Sequence, residues 1–182
     1  MAKSSTIYQL KIALKDIEPE IWRRVQIKDC SLEKLHQIIQ VCMGWDSYHM
    51  WSFKTVDEEF GDDPDGEMGM SSPRKAKLSA IVDQGVKKFS YVYDFGDNWV
   101  HEIKMEKVLE ADPKVKYPRC VEGSRACPPE DCGGPWGYPN FLEAIGNPAH
   151  VEHEDMLEWI GGEFDTEAFD LKAVNRKLAA LR

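Results

Sequence analysis

Residues 89–105, FSYVYDFGDNWVHEIKM, constrain the fold most, because two alternating apolar runs meet there at a turn. Phe89, Tyr91, Tyr93 and Phe95 share one face of the first run, and Trp99, His101, Ile103 and Met105 share one face of the second. A three-residue loop of Gly96, Asp97 and Asn98 pairs Phe95 with Trp99 and Tyr93 with His101, so the apolar faces coincide. A two-residue loop sets Tyr93 against Glu102 and Tyr91 against Lys104, a slip that a half-buried sheet disfavours. The predicted register sends His101 to the aromatic side with Tyr93, and Asp94 to the other.

A second hairpin is predicted at the start, where Tyr8, Leu10, Ile12 and Leu14 alternate with polar positions and, past Pro19, Ile21, Arg23, Val25 and Ile27 do the same. Trp22 and Arg24 then share the opposite face, where a guanidinium can stack on an indole. Arg23 and Arg24 read either as solvated strand residues or as an anion site. Ser31 is placed to cap a helix with Leu32, Leu35, Ile38, Ile39, Cys42 and Met43 on one stripe, and Gly44 to end it. His36 borders that stripe as a partly buried structural residue. Trp51, Phe53 and Thr55 predict a third strand.

Residues 57–76 read as a mobile acidic loop without apolar periodicity. A calcium loop around Asp63, Asp65 and Gly66 is weak, because Gly61 and Ser72 stand at its first and last ligand positions. A short helix through Leu78, Ile81 and Val82 ends near Gly85. The stretch 112–140 is irregular and proline-rich, and a long ordered loop of that kind is usually functional or held by something. Helices near 141–145, 150–160 and 169–181 close the chain. This order predicts an α+β fold, a mainly antiparallel sheet built from hairpins and covered by helices, with a β-grasp-like start in its strand-strand-helix-strand opening.

At 182 residues, with no linker-like stretch, one domain over 1–182 is expected. A net charge of −9 repels polyanions, so nucleic acid is an improbable partner unless Arg23, Arg24 and Arg74 to Lys77 share a face. No apolar run approaches the roughly 20 residues that span a bilayer. The first residues also lack a signal-peptide core, so a cytoplasmic protein without a membrane partner is expected. Five cysteines without a secretory signal argue for thiols or metal ligands over a disulfide framework.

Three constellations could carry function. Cys120, Cys127 and Cys132, with a histidine as fourth ligand, could hold a structural zinc ion, although the wide spacing suits buried or idle thiols as well. Asp94, Asp97 and His101 with Glu130 and Asp131 could form an acid/base or ion site, whereas the bland reading makes them turn formers and caps. Trp45, Tyr48, Trp51, Trp99, Trp136 and Tyr138 recur near turns and could form an aromatic binding surface, or the rim of a core.

Several stretches together resemble the plasmid pRiA4b ORF-3-like family. They are IWRRV at 21–25, LHQIIQ at 35–40, MGW at 43–45, YDFGDNWVHEI at 93–103, CPPEDCGGPWGY at 127–138, EHEDMLEWIGGEFD at 152–165 and FDLKAVN at 169–175. The resemblance covers nearly the whole chain and implies a link to mobile elements, some members being insertion-sequence passengers labelled TnpR. That label denotes a resolvase, which needs a serine nucleophile with an arginine cluster; this chain offers only Ser4 and Ser5 near its start. The function expected is an accessory or binding protein, without catalysis or an obligate cofactor, that recognises a protein or small ligand. Its surface would combine Asp94, Asp97, Trp99, His101, Glu130, Asp131, Trp136, Tyr138, Arg23 and Arg24. The alternative is a metal-dependent hydrolase using Asp94, His101, Glu130 and Asp131.

Overall fold

The computed structural model describes residues 6–63 and 65–182; Ser4 and Ser5 lie outside the described residues. Seven strands form one sheet, β1 (Thr6–Leu14), β2 (Trp22–Lys28), β3 (Trp51–Lys54), β4 (Glu59–Gly61), β5 (Lys88–Tyr93), β6 (Trp99–Glu110) and β7 (Arg119–Ser124). Among the described residues five helices accompany them, α1 (Leu32–Met43), α2 (Leu78–Asp83), α3 (Gly134–Gly146), α4 (His153–Ile160) and α5 (Leu171–Ala179). The sheet order is β4-β3-β5-β6-β1-β2-β7, and the strand pairings are antiparallel. The fold is α+β. Its β-grasp-like start extends to element order alone, because β3 lies beyond β5 and β6 from β1.

Each face of the sheet has its own chemistry. Leu10, Ile12, Val25 and Ile27 pack with Leu35, Ile38 and Ile39 of α1 in the main core. The other face carries a polar ladder, in which Arg119 donates to Gln26, Gln26 to Gln9, and Gln9 and Arg24 to Glu106. Arg24 also stacks 5.0 Å from the Trp22 ring centre. Helix α1 begins and ends as its sequence predicts: the Ser31 hydroxyl accepts from the Lys34 N–H, and Gly44 closes the helix at φ 92°.

The central hairpin forms with its faces as predicted but a different pairing. Tyr93 opposes Trp99 and Tyr91 opposes His101, leaving five connecting residues instead of three. A two-residue shift keeps every side chain of the paired residues on its predicted face. Its cause is Asp94, which leaves the strand at φ 57° and accepts through Oδ1 from the N–H groups of Gly96 and Asp97. Asn98, also at positive φ, donates to the Asp94 carbonyl and closes the turn. Phe95 is thereby released to the surface.

Two stretches contain more structure than their composition predicts. The acidic loop includes edge strand β4, paired to β3, and the proline-rich stretch includes edge strand β7, paired to β2. Neither strand has a clean alternating pattern of its own, and each forms against a neighbour that supplies the register. The helix expected near 141–145 starts earlier, at Gly134, with Pro135 in its first turn, where proline costs no hydrogen bond.

Candidate functional site

Three loops converge at the tip of the central hairpin: residues 44–49 after α1, the turn 94–98, and residues 128–134 before α3. Separate bonds fasten them together. The Trp45 indole N–H donates to the Pro128 carbonyl at 2.9 Å, and the Asp46 N–H to Glu130 Oε2 at 2.8 Å. The Tyr93 hydroxyl donates to Glu130 Oε1 and accepts from the Tyr48 N–H at 3.1 Å. Asp97 Oδ2 accepts from the Gly133 N–H at 3.1 Å. Gly134 sits so close to this turn that a Cβ on it would lie 2.1 Å from the Asp97 carbonyl oxygen.

The predicted acidic residues therefore meet, in two roles. Glu130 and Asp97 are clasps, with carboxylate oxygens engaged by backbone or by Tyr93. Asp94 and Asp131 instead face a histidine that the sequence reading missed, His49. Its Nε2 lies 3.1 Å from Asp131 Oδ1 and 3.7 Å from Asp94 Oδ2. The three ligand atoms lie within 4.8 Å of one another, making this the one set of three metal-ligating groups found among the described residues. His49 lies in the polar run DSYHM just past a helix end, and no local spacing marked it.

His101 does not join them. It is fully buried, its Nδ1 3.3 Å from the Tyr91 carbonyl oxygen and its ring edge-on to Trp45 at 5.4 Å. Burial pushes its pKa down to about 4, so it stays neutral. The hydrolase set of Asp94, His101, Glu130 and Asp131 thus does not assemble, because the register that fixes His101 against Tyr91 points it into the core. His36 is likewise buried, stacked on Trp51 at 4.1 Å and bonded to the Tyr91 hydroxyl at 2.7 Å, with its pKa lowered to about 4 by burial.

The aromatic surface is also corrected. Trp45, Trp51, Trp99 and Tyr138 are core residues, while Tyr48 at 79% and Trp136 at 87% exposure face solvent. Alternation along β6 buries Trp99, and the early start of α3 turns Tyr138 inward onto Phe141.

Arg23 is buried, contrary to the solvated reading. Its guanidinium donates to the carbonyls of Cys42, Trp22, Ser124 and Arg125 and lies 4.2 Å over Phe169, stapling β2 to β7, α1 and the approach to α5. Arg24 pairs with Glu106 and Glu122 on the polar face, and Arg74 pairs with Glu33. Arg23, being buried, is thereby removed from any exposed cationic face with Arg24 and Arg74.

The cysteines remain apart as a ligand set. Cys120 lies against Cys42, and its thiol also reaches the Glu122 carbonyl at 3.3 Å. Burial pushes Cys127 well up and Cys132 to about 12, which keeps both protonated. Among the described residues, Cys120, Cys127 and Cys132 do not converge as a trio. The proline-rich loop is held by Glu130, Trp45 and Asp97 instead.

Beside the junction is a cleft of about 400 Å³, between residues 131–133, α3 and α4. Phe141, Met156 and Trp159 form its apolar wall, with Asp131, Asn140 and Glu152 as polar groups. No helix among the described residues is long and apolar enough to cross a membrane.

Comparison with known proteins gives a consistent result. The family model described as "Plasmid pRiA4b ORF-3-like protein" matches residues 6–173. The uncharacterized protein y4hQ of Sinorhizobium fredii (strain NBRC 101917 / NGR234) is 39% identical over 176 residues, a match covering 94% of this chain and 90% of that protein. The crystal structure of a protein of unknown function, MM3350 from Methanosarcina mazei Go1, is 40% identical with a TM-score of 0.86, covering 92% of this chain and 97% of that one.

Proposed function

The chain belongs to the plasmid pRiA4b ORF-3-like family, and from that premise we propose a non-catalytic accessory protein that binds a small ligand in the cleft between residues 131–133, α3 and α4. The observation that carries this reading is the cleft itself. Its volume of about 400 Å³, apolar wall and few polar groups suit a compact, largely apolar molecule lying in an open cleft. The burial of His101 supports binding over acid/base chemistry, since a fully enclosed imidazole cannot reach a substrate. The plasmid reading frame in the family's description supports an accessory role for mobile elements, and five free cysteines support a cytoplasmic setting.

The test is NMR titration of the full chain with indole, benzylamine and phenylacetate as probes. The expected result is shifts confined to residues 131–133, α3 and α4, including the Trp159 indole, that weaken in Trp159→Ala. Shifts scattered over other faces, or unchanged in that variant, count against the cleft. A protein partner is the second reading, favoured by the exposure of Trp136 and Tyr48, which no core packing requires.

A further inference from the structure

We propose that His49, Asp94 and Asp131 bind one divalent first-row transition-metal ion, zinc or manganese being the clearest examples. The site shares only Asp131 with the cleft and stands independently of any ligand there.

Four observations carry it. The first is distance. Ligands about 2.0–2.2 Å from a common ion stand roughly 2.8–3.8 Å apart across angles of about 90–120°. The imidazole nitrogen is 3.1 Å from one carboxylate oxygen and 3.7 Å from the other, both inside that range, and the two oxygens lie within 4.8 Å of each other, so closing the set requires at most a movement of the exposed Asp131 side chain.

The second is an unmet need. His49 Nε2 is enclosed and has no hydrogen-bond partner, although Asp131 Oδ1 is at bonding distance. The direction is wrong for an N–H···O bond, and a ring nitrogen left this way loses water and gains nothing in return. An ion between the three groups accepts the nitrogen lone pair and both oxygens at once.

The third is partner use. Asp94, 8% exposed, spends Oδ1 on the turn, while Oδ2 is directed at His49. Asp131 makes no other polar contact within the described structure beyond His49. By contrast Glu130 and Asp97 beside them are bonded to the loops they fasten, so the ligands differ from the clasps.

The fourth is charge. Two carboxylates share one imidazole, no lysine or arginine among the described residues is paired to either, and a divalent ion would balance both negative charges where a single imidazolium balances one. One nitrogen with two oxygens suits zinc, iron or manganese. Calcium demands six to eight oxygens, and magnesium rarely uses nitrogen. Three protein ligands also leave coordination positions for water or a ligand oxygen.

The test is calorimetric titration of the metal-stripped full chain, in reductant, with zinc chloride and manganese chloride. The expected result is one ion per chain, with binding weakened by at least about tenfold in His49→Ala and in Asp131→Asn, and unchanged in Cys127→Ser and Cys132→Ser. Circular dichroism verifies each fold. Asp131→Asn decides if His49→Ala unfolds, because Asp131 is mostly exposed and supports no other bond. Absence of saturable binding up to about 1 mM overturns the proposal, as does binding indifferent to Asp131→Asn or abolished by a cysteine change. The cleft titration runs without added metal, so failure of one reading leaves the other standing.

Discussion

His101 and His49 flank the same aromatic cluster and live in opposite worlds. His101 lies against Tyr91 and Trp45, sealed from water and held neutral. His49 is edge-on to Tyr93 at 5.7 Å, on the side where the loops meet, and faces two carboxylates. Between them Tyr93 packs its ring on Trp45 at 4.9 Å and hands its hydroxyl to the loops. The lesson is a division of labour: the interior fixes where the hairpin tip stands, and the tip presents charge that the interior could not tolerate.

The largest way to break this contrast is from inside. Trp99→Ala removes a fully buried indole beside Tyr93, and should cost about 3–5 kcal/mol in chemical denaturation. A loss under 1 kcal/mol would mean that the cluster does not support the tip.

Acid should reach the interior next. An unfolded histidine titrates near about 6.5, while burial holds His101 and His36 at about 4 in the fold. Between those values the unfolded chain binds protons that the folded chain excludes. Stability is therefore full above about pH 6.5 and falls as pH drops toward 4, by about 1.4 kcal/mol per unit for each histidine. Urea midpoints at pH 7 and pH 5 measure this, and the difference should shrink in His101→Gln; an identical difference in that variant would assign it elsewhere.

Smaller effects come from the tip. Glu130→Ala removes the acceptor of the Tyr93 hydroxyl and the Asp46 N–H, and should cost about 1–2 kcal/mol. Hydrogen exchange should rise in 128–134 while β5 and β6 stay protected; uniform exposure would contradict the separation of clasp and core. Asp131→Asn should change stability by less than about 0.5 kcal/mol, as exposed charge pairs do, so any larger loss would make Asp131 structural and not a ligand.

The sequence by itself determined the faces of the hairpins and the position and both caps of α1. These follow from local periods and capping chemistry, which neighbouring residues express without help. The exact pairing of the central hairpin was not legible, because Asp94 could equally extend the strand or fold its carboxylate onto the next amides. Only the tertiary structure decided that Arg23 is a buried staple, that Tyr138 belongs to the core, and that β4 and β7 exist as edge strands. It also brought His49 to Asp94 and Asp131 from segments 45 and 37 positions apart. The physical reason is range: periodicity reports which face a residue takes, whereas a site assembled from three loops depends on packing that no single loop encodes.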